Sequence, residues 1–162
     1  MSSATSIIDI SINDQRLTLT QGGASFVYPV STALAGHGQA MGSGCTPLGV
    51  HKVRAKIGDG QPLGAVFVGR RPTGEVYSPE LAQAFPSRDW ILSRILWLSG
   101  CEVGKNRLGR VDTMRRFIYI HGTPDTEPMG QPLSHGCVRM RNDDVIDLFS
   151  RIEVGTSVSI HL

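Results

Sequence analysis

The chain has 162 residues, of which 40% are hydrophobic and 19% charged, and its formal net charge at pH 7 is +2. This length suits a single domain over residues 1–162 that buries its own core without disulfides. A net charge this small, with no block of like charges, argues against nucleic acid and membrane surfaces as partners. No apolar run approaches the roughly 20 residues that a membrane-spanning helix needs.

The N-terminus lacks the features of an export signal. Residues 1–6 contain no basic residue, and no long apolar stretch follows them. We therefore expect a cytoplasmic protein; the alternative is the mature form of a protein exported to the periplasm or cell wall. The cysteines Cys45, Cys101 and Cys137 are odd in number and widely spaced, which is typical of free thiols in a reducing compartment.

The first third of the chain predicts a meander of short strands. Apolar and polar residues alternate at 8–13 and 16–20, and a third strand is predicted at 26–30, with turn residues between the segments. Residues 36–49 are rich in glycine and predict a long irregular loop, which is either a flexible connector or a functional loop. Its glycines lack the P-loop spacing, and no Gly-Lys-Ser/Thr follows, so we exclude nucleotide binding.

The middle of the chain predicts two more strands and one helix. Strands are predicted at 50–57 and 65–68, and the proline-rich segment 70–88 is predicted to be a surface excursion. Residues 89–98 have a helical period, with Asp89 as the N-cap. Trp90 and Trp97 lie beside the apolar face of this helix and are predicted to be core residues.

The last third predicts a strand, a loop, a helix and a closing strand. The apolar segment 117–120 is predicted to be a buried strand that ends at His121 and Gly122, and the proline-rich segment 123–133 a loop. A helix is predicted from Asn142, its cap, to about residue 152, and a strand at 157–162. Together these elements predict a mostly β domain, sandwich or barrel-like, with two packed helices.

The segment around Cys137 carries the chemistry. If residues 135–139 are extended, the side chains of His135, Cys137 and Arg139 point the same way, and positive charge beside the thiol favours the thiolate. The backbone N–H groups of Gly136 and Cys137 could then face a developing oxyanion. His121, on its strand, is the predicted general base, and the test is whether its ring lies within hydrogen-bond reach of the thiol.

These residue types also allow three other interpretations. A zinc site would use His121, His135 and Cys137 with Cys45 or His51 as the fourth ligand, but this spacing matches no standard zinc pattern. A lone cysteine is usually a small buried hydrophobic residue; Cys45 and Cys101 are interpreted in this way, and for Cys137 the neighbours His135 and Gly136 argue against it. A hydrolase with Ser134 as the nucleophile is poorly supported, because no Gly-x-Ser-x-Gly occurs.

Two motifs at this separation resemble the signature of the L,D-transpeptidase (YkuD-type) catalytic domain: IHGT at 120–123 and SHGCVRM at 134–140. The segments YPVST at 28–32 and TPLG at 46–49 resemble further motifs of that family in the same order. The resemblance covers residues 8–162 and implies a β-rich fold. It also implies that no metal or other cofactor is needed.

The resemblance implies a role for each matching residue. Cys137 would attack a peptide carbonyl and form a thioester, and His121 would be the base, held by the backbone carbonyl of Gly122. The implied catalytic residues are Cys137, His121, His135 and Gly136, and the implied substrate-binding residues are Arg139, Ser134, Gly122 and Tyr119. The substrate would be a peptidoglycan stem tetrapeptide, cleaved between the L-centre of a diamino acid and the terminal D-alanine. Carbapenems would acylate Cys137.

The acceptor depends on where the protein works. In the cytoplasm, water would resolve the thioester, and the protein would be an L,D-carboxypeptidase in murein recycling. The alternative is an L,D-transpeptidase that cross-links stem peptides or exchanges D-amino acids. A hypothesis of another class is a catalytically silent module that binds stem peptides.

Overall fold

The protein is described by a computed structural model that covers residues 5–162. The predicted cytoplasmic location rests partly on residues 1–4, which lie outside the described residues. The strands are β1 (Ser6–Ser11), β2 (Arg16–Gln21), β3 (Ala24–Pro29), β4 (Gly49–Ile57), β5 (Ala65–Val68), β6 (Arg71–Val76), β7 (Ile91–Gly100), β8 (Tyr119–Thr123), β9 (Val138–Arg141) and β10 (Ser157–His161). The helices are α1 (Pro79–Ala84) and α2 (Asn142–Arg151), and Gly109–Val111 forms one 3-10 turn.

The ten strands form one mixed sheet. Along its main path the order is β3-β2-β1-β10-β4-β7-β5-β6, and β8 joins the other edge of β7 and carries β9. β1 pairs with β10, and β8 with β9, in parallel; the other pairs are antiparallel. The predicted fold class, mostly β with two packed helices, is confirmed, whereas the single domain over 1–162 stays a prediction.

The main core lies where α2 packs on the sheet. Alternation along β1 and β2 buries Ile8, Ile10, Leu17 and Leu19 completely, as their sequence pattern predicts. The apolar side of α2 adds Val145, Leu148 and Phe149 to the same cluster. A second, smaller cluster consists of Ala65, Phe67, Ile95 and Tyr119, with Trp97 and Cys137 packed against it. Burial of these side chains therefore fixes β7 and β8 against Cys137.

The predicted helix at 89–98 is wrong, because this segment forms the central strand β7. β4 and β5 pair along one edge of β7, β8 pairs along the other, and nearly all of its side chains are at least half-buried. The register shifts between Leu92 and Ile95, where Ser93 adopts a positive φ of 71°. A bulged strand that is covered on both faces shows no simple alternation, and here its apolar spacing imitated a helix.

Three smaller expectations also change. The segment 70–88 is mostly exposed, as predicted, but it contains β6 and α1. Trp90 and Trp97 are half-buried rather than core residues, and Trp90 packs edge-on against Tyr77. Asn142 begins α2 instead of capping it: its buried amide donates to Thr123 O at 3.0 Å. Neither described helix is long and apolar enough to cross a membrane.

Candidate active site

The strands β8 and β9 place the histidine and cysteine motifs side by side. They pair in parallel with His121 opposite Arg139. The strand predicted at 117–120, with His121 and Gly122 at its end, is shifted along the chain: β8 runs from Tyr119 to Thr123 and holds His121 at its centre. His121 is only 1% exposed. Its position is therefore set by a buried strand that is paired on both edges.

His121 is oriented by its own neighbour in the chain. Its Nδ1 lies 2.6 Å from the carbonyl oxygen of Gly122, as the family resemblance implied. This contact puts the proton on Nδ1 and leaves Nε2 as the basic nitrogen. Burial lowers the pKa of His121, and Arg139 lowers it further, although the Gly122 carbonyl and Asp89 oppose them. The ring is therefore neutral at pH 7 and able to accept a proton.

The cysteine follows a tight bend that hydrogen bonds close. Ser134 Oγ donates to the carbonyl of Cys137 at 2.5 Å and accepts the N–H of Gly136 at 3.3 Å. Gly136 adopts a φ of 126°, a conformation that favours glycine. The prediction that 135–139 is extended is wrong for 135–137, since the extended strand begins at Val138. Because the Gly136 N–H is already engaged by Ser134, the Cys137 N–H is the better oxyanion donor of the two predicted.

Segments far apart in the sequence support this bend. Thr46 Oγ1 donates to the carbonyl of Gly136 at 3.0 Å and accepts the N–H of Ala33 at 3.0 Å. Ser31 exchanges two backbone hydrogen bonds with Arg139, each of 2.9 Å. The YPVST and TPLG segments thus contact the cysteine bend directly, which explains why they accompany the motif.

The thiol of Cys137 lies against main-chain atoms. Sγ donates to the carbonyl of Phe117 at 3.4 Å and accepts the N–H of Tyr119 at 3.3 Å. Within residues 5–162 no hydrogen bond joins it to His121, so the predicted thiol–imidazole contact is not formed in the free protein. Catalytic hydrogen bonds often form only once substrate is bound. Burial raises the pKa of Cys137 to about 11, with Asp89 adding to the effect and Tyr119 N–H, Arg139 and Arg116 opposing it.

Asp89, which the sequence pattern predicts as the N-cap of a helix, instead lies close to two predicted site residues, Arg139 and His135. Asp89 Oδ1 lies 3.3 Å from a guanidinium nitrogen of Arg139, and Oδ2 lies 3.8 Å from Nδ1 of His135. Arg139 is buried, whereas the His135 side chain is 75% exposed. These three residues line a cleft of about 230 Å³ together with Trp90 and Glu127. Because Asp89 was predicted to cap a helix, its place in the site had no sequence signal.

A second cleft lies on the other side of His135. It has a volume of about 430 Å³ and is lined by Met41, Gly42, Gly44, Arg115, Arg116, Phe117, Ile118 and His135. The glycine-rich loop 36–49 forms part of its wall and is held there by Arg116, which donates to Cys45 O at 2.6 Å and Gly38 O at 3.1 Å. The loop is therefore part of the site rather than a flexible connector. Arg116 is a second residue that sequence reasoning missed.

Two predicted substrate-binding residues have structural contacts in the free protein. The side chain of Tyr119 belongs to the second core cluster, and its hydroxyl accepts a hydrogen bond from Arg70 at 3.0 Å. Gly122 is required by close packing: a Cβ there would lie 2.5 Å from both Leu92 O and Asn142 Oδ1. Substrate contact by Tyr119, Gly122, Ser134 or Arg139 stays a prediction.

The alternative zinc site does not assemble. His51 is buried with Nδ1 3.0 Å from Gly49 O and Nε2 3.0 Å from Thr113 Oγ1, so neither nitrogen is free to ligate. Burial lowers the pKa of His51 to about 4. Across residues 5–162 no three His, Cys, Asp or Glu side chains are grouped as a metal site. The three cysteines are free thiols, but Cys101 is exposed and Cys45 half-buried, so their prediction as buried residues is wrong.

The raised thiol pKa predicts how Cys137 reacts in the absence of substrate. In a Cys45→Ser, Cys101→Ser background, alkylation of Cys137 by iodoacetamide should accelerate about tenfold per pH unit between roughly pH 7 and 10, because only the thiolate reacts. Asp89→Asn should raise the rate at neutral pH by about 3- to 10-fold, since it removes a negative charge that opposes the thiolate. A rate plateau by pH 8, followed by mass spectrometry, would contradict a thiol that is neutral at rest.

Comparison with known proteins gives a family match over nearly the whole chain. Residues 5–160 match the family described as the L,D-transpeptidase catalytic domain, YkuD. A protein of Bacillus subtilis, the putative L,D-transpeptidase YqjB, is 51% identical over 45 residues, which are 28% of this chain and 26% of that protein. The sequence likeness to this relative is therefore confined to about a quarter of each chain.

Solved structures match the fold over the full length. L,D-transpeptidase 3 from Mycobacterium tuberculosis, in complex with a faropenem-derived adduct, has a TM-score of 0.61 at 17% identity, covering 98% of this chain and 61% of that one. The L,D-transpeptidase LdtMt1, in complex with imipenem, has a TM-score of 0.57 at 18% identity, covering 98% of this chain and 59% of that one. The chain thus spans about three fifths of these structures.

Proposed function

Because the chain belongs to the L,D-transpeptidase catalytic domain family, we propose that it is a cysteine acyl-transfer enzyme acting on peptidoglycan stem tetrapeptides. It cleaves the bond between the L-centre of the diamino acid and the terminal D-alanine through a thioester on Cys137, with water as the acceptor. The observation that carries this proposal is the parallel pairing of β8 with β9, which brings His121 and Arg139 together beside Cys137.

The first half of the reaction transfers the acyl group to sulfur. His121 Nε2 takes the thiol proton as Sγ attacks the scissile carbonyl carbon, and the carbonyl oxygen becomes an oxyanion facing the Cys137 N–H. The C–N bond then breaks, and the same proton passes from His121 to the leaving nitrogen of D-alanine. A neutral His121, kept so by burial, suits both steps, because it accepts and returns one proton.

The second half regenerates the thiol. His121 removes a proton from water, the hydroxide attacks the thioester carbon, and the C–S bond breaks as the thiolate takes the proton back. Cys137 is half-buried, and His135, two residues before it, lines both clefts. Water needs only access to this partly exposed residue, whereas a peptide amine needs a binding site of its own.

In the free protein, Cys137 and His121 are not yet arranged for proton transfer. Thiol and imidazole are both neutral, and the thiol lies on the Phe117 carbonyl instead of on His121. Substrate must therefore turn Sγ toward Nε2 before the proton can move. We further propose that carbapenems acylate the same sulfur, which is supported by the imipenem complex of a protein with this fold.

A mass measurement on one substrate tests the proposal. The protein is incubated with a disaccharide tetrapeptide, with and without an added D-amino acid, and the masses of the products are measured by mass spectrometry. We expect loss of a single alanine in both samples. Replacement of that alanine by the added D-amino acid would identify a transpeptidase instead.

No mass change, together with no carbapenem adduct on Cys137, would overturn the enzymatic proposal and favour a module that binds stem peptides. A Cys137→Ala protein from the same preparation is the control for contaminating peptidases. The cytoplasmic location and the role in murein recycling stay predictions from the N-terminal sequence, and fractionation of cells with an antibody to the protein measures the location separately.

A further inference from the structure

Arg116 is a half-buried guanidinium whose partners are all neutral. Its terminal nitrogens donate to three main-chain carbonyls of the glycine-rich loop and to one hydroxyl: Gly38 O at 3.1 Å, Gln39 O at 3.3 Å, Cys45 O at 2.6 Å and Ser43 Oγ at 3.3 Å. Within residues 5–162 it forms no ion pair. Burial lowers the pKa of Arg116, but a guanidinium stays charged in proteins. The site therefore holds a positive charge that no described acid neutralises.

Two other arginines of the site region differ in this respect. Arg139 lies 3.3 Å from Asp89, and Arg88 lies 2.9 Å from Glu75. A cation that is partly removed from water without an anion is costly, and a bound anion would offset this cost. Of these three guanidinium groups, Arg116 is thus the one without an anionic partner among residues 5–162.

Three observations place Arg116 in the surroundings of the reacting sulfur. The carbonyl of Phe117, the next residue in the chain, accepts the hydrogen bond from Cys137 Sγ. Cys45 O, which Arg116 binds, lies 3.4 Å from the position that a Cβ of Gly136 would take. Arg116 also lines the 430 Å³ cleft that opens next to His135. Consistently, Arg116 is one of the charges that act to lower the pKa of Cys137.

We propose, on the basis of the function proposed above, that Arg116 binds the free carboxylate of the terminal D-alanine. In that residue the carboxylate carbon is bonded to the same Cα as the leaving nitrogen, so it lies within a few ångströms of the carbon that Sγ attacks. Since the terminal nitrogens of Arg116 donate to the loop, the carboxylate would accept from Nε–H and interact with the charge of the guanidinium, and a half-buried site strengthens this pairing. The loop carbonyls fix the plane of the guanidinium in the 430 Å³ cleft.

If Arg116 binds this carboxylate, the enzyme selects the C-terminal residue of its substrate through the free carboxylate. Substrates in which D-alanine carries a free carboxylate would be cleaved, and those in which the carboxylate is blocked as an amide would be poor. The leaving group would then depart through the cleft lined by Arg116, Phe117 and Ile118.

The test compares each protein on two tetrapeptides, one ending in D-alanine and one in D-alaninamide. For the unchanged protein we expect kcat/KM to favour the free acid by roughly 30-fold, the size of a hydrogen-bonded charge pair. In Arg116→Gln this preference should collapse to near unity, mainly through a higher KM for the acid, and Arg116→Lys should restore part of it. Arg16→Gln, which removes an exposed positive charge from β2, should keep the full preference.

The ratio of kcat/KM for the acid to kcat/KM for the amide distinguishes carboxylate recognition by Arg116 from a purely structural role in holding the loop. If Arg116 only anchors the loop, both peptides will lose activity by the same factor and the preference will persist, which overturns the proposal. A third peptide with lysine at position three lacks the second carboxylate of a diamino diacid; if the Arg116→Gln effect disappears with it, the carboxylate bound is the wrong one and the proposal is overturned as well.

Binding provides a readout that needs no turnover. Calorimetry of the acid and amide peptides on Cys137→Ala, with and without Arg116→Gln, should show tighter binding of the acid by a similar factor, lost with Arg116. Absence of cleavage by the unchanged protein would overturn the proposed function, whereas equal dissociation constants for acid and amide would overturn the Arg116 assignment.

Discussion

Replacement of Cys137 by alanine is expected to lower the rate of D-alanine release by about 10⁴-fold or more, which is the size seen when a nucleophile is removed from an acyl-transfer site. His121→Ala alone should cause a loss of similar order, because the thiol has a pKa of about 11 and needs a base. The double variant should be no slower than Cys137→Ala alone. Residues that transfer one proton between them act as a unit, so their effects do not add.

The measurement is the release of D-alanine from the tetrapeptide, combined with the mass of the protein after exposure to a carbapenem. Cys101→Ala is the matched control, since Cys101 is an exposed free thiol that lines neither cleft, and it should react as the unchanged protein does. His121→Ala should still fold, and circular dichroism checks this. Additive losses in the double variant would show that His121 acts on a step that does not involve Cys137.

The strands that can be predicted from the sequence are those with one buried face. In β1 and β2 the residues Ile8, Ile10, Leu17 and Leu19 alternate with polar residues, so their pattern reports burial directly. The site motif was also predictable, because His121 and Cys137 lie in short segments of unusual composition. The contact between His121 and the Gly122 carbonyl is local in sequence, and it has the form that the family resemblance implied.

The parts that escaped prediction depend on contacts between distant residues. β7 is buried because three strands pair with it and because it is bulged at Ser93. The spacing of apolar residues within β7 itself indicates neither feature. Asp89 meets Arg139, 50 residues away, and Arg116 meets Cys45, 71 residues away. The charges that set the thiol pKa are therefore decided by how the sheet brings segments together, which a pattern along the chain does not report.

The neutral state of the resting pair also constrains how the site is held. His121 accepts a proton at Nε2 only if its Nδ1 stays on the Gly122 carbonyl, and that carbonyl belongs to a strand that is paired with β7. Gly122 has no room for a side chain: a Cβ would lie 2.5 Å from the carbonyl oxygen of Leu92 and 2.5 Å from Asn142 Oδ1. Gly122 is therefore required both for close packing and for the hydrogen bond that orients His121.

Gly122→Ala is consequently expected to destabilise the protein by about 3 kcal/mol, from the overpacking of a buried strand pair together with loss of a buried hydrogen bond. Backbone must move, since Leu92 O is a main-chain atom, and Asn142 must release Ser93 Oγ, which donates to it at 2.6 Å. For a chain of this length such a loss lowers the Tm by roughly 10 °C. Thermal unfolding followed by circular dichroism measures it.

Gly104→Ala is the comparison that isolates the packing effect. Gly104 has a φ of 83°, and a Cβ added there would meet no atom within 4 Å, so alanine costs only the strained backbone conformation, about 1 kcal/mol. Gly122 is not among the glycines with positive φ, so its cost includes no backbone strain of this kind. The folded fraction of Gly122→Ala should also acylate with carbapenem more slowly than Gly104→Ala does, because the Gly122 carbonyl that holds His121 moves with β8. Equal Tm values for the two variants would refute the packing account, and equal acylation rates would refute the account of how the base is positioned.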